Sequence, residues 1–480
     1  MSSQVNYDTL IPNNVNLSSD RQLKRALENW HPKFLNWWKG SGPADSQEHE
    51  VYLRTAVGVE KGNWAKFGFV RMPDYRWGIL LAPAQENRTI PFGQHKGEPV
   101  WQEVPGEYRG LIRRLLVIQG DTEPASVEQQ RFLGHTAPSL YDMRNVFQVN
   151  VEEGRHLWAM VYLLQKYFGR DGREEAEMLL QRTSGDPDKP RLLGAFNEET
   201  PDWLSFFLFT SFTDRDGKMQ LESLAQSGFD PLSRTCRFML TEEGHHMFVG
   251  KSGIERILDR TCVMMNENSI TDPDDTGRIR DLGVIDLPLM QRKINFHVSV
   301  TLDLFGSEIS TNAANAYNAG IKGRFKETDI IDDHQLHGDT YSLLVHRDGQ
   351  FIHEDTDAIT AINGRLLDDY ITDCESVIAA WNKVIHSHGV EFEISLPHRA
   401  FNRQQGLFAN MFVSPGGIII EENQWHSAHD QYLPSNSDLE YVLSLMKPKK
   451  EVGEFAGWIS PPKFGVGGKP GDYEYVRLAG

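Results

Sequence analysis

Glu152-Glu153-Gly154-Arg155-His156 and, further along, Glu242-Glu243-Gly244-His245-His246 each place a carboxylate three residues ahead of a histidine within a long apolar stretch of helical character. Residues three apart share one face of an α-helix, so Glu153 with His156, and Glu243 with His246, can each grip one metal ion. Two more carboxylates, Glu123 and Asp214, stand 30 and 29 residues upstream of Glu153 and Glu243. A Glu-x-x-His pair from each of two helices, joined by one carboxylate from each of two others, is the ligand set of a carboxylate-bridged two-metal bundle. Carboxylate and imidazole donors without thiolates suit iron or manganese.

The ligands fall where a core would place leucine. Val146, Val149, Glu153, His156, Met160 and Leu163 follow alternating steps of three and four, and so do Leu232, Cys236, Met239, Glu243, His246 and Gly250. Such steps mark the seam a helix turns toward a bundle interior. An unpaired buried charge costs several kcal/mol, and a metal ion is the most economical partner for so many. A single Glu-x-x-His has a plainer reading as a structural ion network, for instance Glu152 with Arg155; two copies with matched upstream carboxylates make that reading weak. Glu242 with His245 has the same spacing as Glu243 with His246, so periodicity leaves both pairs open. Glu123 shares a seam with Ile112, Leu116 and Gln119, but Gly120 and Pro124 must distort that helix. Asp214 lies on a seam with Trp203, Phe207, Thr210, Gly217 and Leu221, in competition with Phe209, Phe212 and Asp216.

Punctuation divides the chain into three regions. Residues 1–105, rich in tryptophan, proline and glycine with one helix near Arg21 to Trp38, form an N-terminal extension packed on the bundle. Residues 106–334 carry the helical periods. Ser139 with Asp142 reads as a capping box opening a helix that Gly169 closes. Thr200-Pro201 and Asp230-Pro231 each set a capping residue before a proline, and Gly228 ends the helix begun at Pro201. Residues 335–480 form a mixed α/β region: Tyr341 to Val345 and Gln350 to His353 make a hairpin across Asp348-Gly349. Glu391 to Leu396 alternates, and Leu407 to Val413 with Ile418 to Glu422 looks like a second hairpin. The fold class is therefore mainly α: a ferritin-like four-helix di-iron bundle with an N-terminal extension and a mixed α/β C-terminal extension.

Composition narrows the function. A net charge of −18 argues against sequence-independent binding to nucleic acid or an anionic membrane. Three scattered cysteines exclude a disulfide framework and a zinc module, which points to a reducing compartment. The start Met1-Ser2-Ser3-Gln4 lacks signal-peptide order, and the apolar run Trp203 to Phe212 is too short to span a bilayer, so a cytoplasmic location is expected. Arg109, Arg113 and Arg114, or Lys322, Arg324 and Lys326, could hold phosphates of a small ligand, although solvated faces are the ordinary reading. His386 with His388, and His426 with His429, sit in polar, loop-like contexts as surface histidines. No phosphate-cradling glycine loop and no Ser-His-Asp signature occurs, so electrons would come from another protein.

Three classes use such a centre: an oxygenase, an iron-storing or iron-oxidising protein of the ferritin type, and a radical generator. The long extensions favour an organic substrate over storage, and neither Tyr141 nor Tyr162 lies on the ligand seam as a radical tyrosine should. The stretches Ile11 to Leu17 (IPNNVNL), Trp101 to Arg109 (WQEVPGEYR), Gln119 to Arg131 (QGDTEPASVEQQR), Val149 to Trp158 (VNVEEGRHLW), Thr213 to Lys218 (TDRDGK) and Thr241 to His246, with Tyr475-Val476-Arg477 near the end, closely resemble the benzoyl-CoA 2,3-epoxidases, the oxygenase components of aerobic benzoate breakdown. The resemblance implies that Glu123, Glu153, His156, Asp214, Glu243 and His246 hold two iron ions, and that Gln119 is a labile ligand or a donor to bound oxygen. It implies addition of one oxygen atom of O₂ to the 2,3 bond of benzoyl-CoA, with two electrons from NADPH through a separate reductase carrying flavin and an iron–sulfur centre. Trp203, Phe206, Phe207 and Phe209 would line a dry pocket for the phenyl ring, unless they simply pack the core.

Overall fold

Helices carry most of the chain in this computed structural model, which describes residues 5–44, 49–56, 64–71, 74–465 and 476–478. Met1 to Gln4 and Tyr475 lie outside the described residues. In order come α1 (Arg21–Ser41), β1 (Glu50–Ala56), β2 (Trp64–Arg71), α2 (Arg109–Gln129), α3 (Leu140–Tyr167), α4 (Gly169–Leu179), α5 (Trp203–Ala225), α6 (Asp230–Glu267), α7 (Thr276–Asp281), α8 (Leu287–Leu302) and α9 (Thr311–Asn318). The hairpin β3 (Thr340–Arg347) and β4 (Gln350–Asp357) follows, then α10 (Ile362–Ser387), α11 (Glu422–Tyr432), α12 (Asn436–Leu445) and β5 (Val476–Arg477). Among the described residues no helix is long and apolar enough to cross a membrane.

α2 packs on α3, α3 on α6, and α6 along much of α5. The α5–α6 approach depends on small residues. A Cβ at Gly250 would lie 2.5 Å from the Phe207 carbonyl oxygen, and one at Gly253 would lie 2.3 Å from the Phe207 ring. Larger side chains there would force the helices apart.

Helix starts correct the sequence reading in detail. Ser139 does cap α3, its hydroxyl oxygen accepting from the Asp142 amide at 3.1 Å. The reciprocal half of a capping box is absent, because the Asp142 carboxylate takes the Arg256 guanidinium of α6 at 2.7 and 3.0 Å. α5 starts two residues later than Pro201 suggested, capped by Asp202, which accepts from Ser205 N at 2.7 Å and pairs with Lys293 at 2.6 Å. Asp230 is the first residue of α6 and not its cap; its carboxylate faces Arg88 at 3.2 Å.

α3 is buried all round, from Leu140 to Gln165, and not only along its seam. The cover is aromatic and comes from the N-terminal region. Trp30 meets Trp158 edge-on at 4.7 Å, Phe34 meets Trp77 at 4.9 Å, and Trp38 meets Trp77 at 4.6 Å. β1 pairs antiparallel with β2 and with β5, so the two ends of the chain share one sheet order, β2-β1-β5.

In the C-terminal region the first hairpin forms as read, turning on Asp348 and Gly349 at φ 49° and 80°. The second shrinks to an isolated bridge, Val413 with Ile419, and Glu422 already begins α11. Glu391 to Leu396 forms no strand; Asn382 of α10 takes both backbone groups of Ile394 at 2.8 Å. α10 itself joins the helical core, Tyr370 donating to the Phe212 carbonyl at 3.1 Å and Trp381 to that of Lys251 at 3.1 Å.

Candidate metal centre

Glu123 projects from α2, Glu153 and His156 from α3, Asp214 from α5, and Glu243 and His246 from α6, and all six side chains meet in one buried cluster. His156 Nδ1 lies 3.3 Å from Glu123, 3.7 Å from Glu153 Oε2 and 3.6 Å from Glu243 Oε1. His246 Nδ1 lies 3.7 Å from Asp214, 3.5 Å from Glu153 Oε1 and 3.4 Å from Glu243 Oε2. Glu153 and Glu243 thus turn one oxygen to each histidine, while Glu123 and Asp214 each face a single one. Two terminal carboxylates, two that span, and two imidazoles form a two-fold arrangement about a pair of positions.

The donor set fits two cations. Nδ1 of His156, Nδ1 of His246 and Oδ2 of Asp214 are buried without hydrogen-bond partners, the condition that a folded protein avoids unless something else satisfies the atom. Ligand atoms of Glu123, Glu153 and His156, and of Glu153, Asp214 and His246, lie within 4.8 Å of one another.

Packed this closely, the ionisable groups of the cluster perturb one another. Burial, together with Glu123 and Glu243 nearby, holds Glu153 well above the ordinary carboxylate range. Burial pushes Asp214 up to about 8, with Glu243 and Glu123 adding to it. Burial alone would lower both histidines, yet the carboxylates outweigh it and raise them well above the usual imidazole value. Glu123 moves down, burial being outdone by His156 and by hydrogen bonds from Gln119 and Glu153.

Around the six stands an outer layer that helical spacing alone had not separated from the inner one. Glu242 accepts from His156 Nε2 at 3.0 Å, and Glu152 accepts from His246 Nε2 at 3.1 Å. Each helix's first glutamate therefore orients the other helix's histidine and leaves Nδ1 aimed at the centre. This resolves the competing pair: Glu242 and His245 belong to the outer layer. Arg155 pairs with Glu242, not with Glu152, and also donates to the Tyr75 hydroxyl at 3.1 Å. Glu152 takes His245 Nδ1 at 3.3 Å and Gln148 Nε2 at 2.6 Å. The doubled glutamate in both strings was the available signal for this layer.

Gln119 lies one turn before Glu123 and donates to its Oε1 at 2.9 Å. α2 stays helical through Gly120 and Pro124. Of the aromatic residues read as pocket lining, Trp203, Phe206 and Phe207 pack within the main core, whereas Phe209 joins a separate cluster with Ala125 and Phe196. A further acidic group, Glu327, Asp332 and His334, encloses Arg324, which reaches both carboxylates at 2.6 Å and so supplies the positive charge there. His386, His426 and His429 are exposed as expected, although on α10 and α11 and not on loops.

The chain matches no family model. Over 474 residues, which span 99% of this chain and 100% of the relative, it is 57% identical to "Benzoyl-CoA oxygenase component B" of Aromatoleum evansii.

Proposed function

This chain belongs to the benzoyl-CoA oxygenase component B family, the oxygenase component of benzoyl-CoA epoxidase, and from that membership we propose that it is a di-iron monooxygenase converting benzoyl-CoA to its 2,3-epoxide. The bundle is of the ferritin-like kind. Its electrons come from NADPH through a separate iron–sulfur flavoprotein reductase, a division of labour that the word "component" in the relative's name supports. The observation that carries the reading is the two-fold cluster with its buried, unpartnered Nδ1 atoms.

Glu123, Glu153, His156, Asp214, Glu243 and His246 hold the irons. When bound, the iron pair supplies the binding and reduction of O₂. The protein residues do the rest. Glu153 and Glu243, each with one oxygen toward either histidine, keep the two positions at a common spacing. Glu152 and Glu242 hold the Nε2 protons and with them the imidazole tautomers. Gln119 steadies Glu123. Side-chain exposures of 0–7% across the six ligands keep water out of the centre.

The test is turnover of benzoyl-CoA under ¹⁸O₂ with iron-loaded protein, reductase and NADPH. Mass spectrometry should show one ¹⁸O in the thioester product. Unmodified thioester recovered from iron-replete protein, with iron(II) oxidised regardless of thioester, would instead favour an iron-oxidising protein.

A further inference from the structure

The glycine of the α3 string is a seat for an aromatic ring. A Cβ at Gly154 would lie 2.6 Å from Trp77 Nε1, so glycine lets that indole rest on the backbone beside Glu153. From Trp77 the rings run outward, to Trp38 at 4.6 Å and from Trp38 to Trp37 at 6.2 Å. A second link enters the same ring. Tyr75, 5.1 Å from Trp77, accepts from Arg155, whose partner Glu242 accepts from His156. On α6 a Cβ at Gly244 would meet open space.

The indole N–H groups along this column differ in a telling way. Those of Trp77 and Trp38 are buried without hydrogen-bond partners, a condition that a packed core avoids and that a redox role accounts for. That of Trp37, the outermost ring at 8% exposure, donates to Glu128 Oε1 at 3.1 Å. An indole that loses an electron becomes far more acidic. With no acceptor, Trp77 and Trp38 keep their protons and pass the charge on as an electron alone. At Trp37 the proton has a carboxylate to go to, and the charge stays there.

We propose that Trp77, Trp38 and Trp37 form an escape route for oxidising equivalents, resting on the di-iron oxygenase reading above. When the centre has reduced O₂ with no thioester to oxygenate, one electron passes from Trp37 through Trp38 and Trp77 to the centre, and the Trp37 proton moves to Glu128. A thiol in solution then returns the electron, and Glu128 returns the proton. Two thiols spent in this way leave as a disulfide, with their protons released to water.

Full-length protein, its iron content fixed by elemental analysis, would be reduced with dithionite and mixed with O₂ in the absence of thioester. Rapid-freeze electron paramagnetic resonance should show a tryptophan radical, quenched by added dithiothreitol. Without the thiol, peptide mapping should find hydroxytryptophan at Trp37. Trp77→Phe and, independently, Trp38→Phe should lose the Trp37 product while keeping iron and first-turnover oxygenation of benzoyl-CoA. Trp425→Phe, in a separate cluster on α11, should change nothing. Uptake of O₂ with no aromatic radical, Trp37 oxidation that persists in both Trp77→Phe and Trp38→Phe, or its equal loss in Trp425→Phe would overturn the proposal. Protein that holds no iron or takes up no O₂ would remove the di-iron reading itself, and the escape route with it.

Discussion

The α3 and α6 halves of the centre are built on the same five-residue pattern but differ in what supports them. On α3, Arg155 reaches across to Glu242; at the matching position of α6, His245 reaches across to Glu152. Burial opposes the Arg155 charge, yet Glu242 holds it above its ordinary value, while burial pushes His245 down to about 4 against the pull of Glu152. One outer carboxylate therefore has a permanent cation and the other a neutral imidazole. The covering differs too. Gly154 lies under Trp77, whose Nε1 would be 2.6 Å from a Cβ there, whereas Gly244 faces open space beside Phe248, itself 57% exposed. Symmetry is kept in the inner cluster and dropped one layer out, where one half is sealed by the N-terminal region and the other borders solvent.

That contrast can be broken experimentally. The largest effects should be shared by both halves: Glu153→Ala or Glu243→Ala removes a carboxylate facing both histidines, so elemental analysis should find both ions lost and turnover abolished. Glu123→Ala and Asp214→Ala, each serving one histidine, should lose one ion first. Next comes the outer layer. Arg155→Ala strands a carboxylate of 0% side-chain exposure and should cost about 3–5 kcal/mol in denaturant unfolding. His245→Ala should cost only about 1–3 kcal/mol, and equal losses would refute the asymmetry. Glu152→Gln and Glu242→Gln should each weaken metal binding by roughly 10–100-fold, seen in competition with a chelator. The smallest effects should have opposite signs: Gly154→Ala destabilises by about 1–3 kcal/mol through overpacking, and Gly244→Ala stabilises by about 0.5–1 kcal/mol through helix propensity.

Much of the buried cluster was legible because candidate ligands on a helix recur at fixed spacing and because charge on an apolar seam needs a reason. Glu123 was the weakest of the six in the sequence, carried by its interval from Glu153, its seam with Ile112, Leu116 and Gln119 and the family resemblance, since Gly120 and Pro124 argue against a helix that nevertheless continues past them. Packing of that turn against α3 and α4 outweighs the local penalty. The capping signals were read one or two residues off at α5 and α6: Asp202 caps α5 in place of Thr200 while also pairing with Lys293, and Asp230 serves an ion pair with Arg88 instead of capping α6. The pairing of β1 with β5 escaped notice because no local pattern links strands at opposite ends of a chain.

The sequence by itself determined the donor types, their spacing, the helices that carry them and the family to which the chain belongs. Only the tertiary structure decided which of Glu242 and Glu243 faces the centre, which histidine nitrogen is left open, and which half is sealed. Helical periodicity is a local property that makes both pairs equivalent, whereas burial and cross-helix hydrogen bonds between residues 86 and 94 positions apart exist only once α3 and α6 have packed.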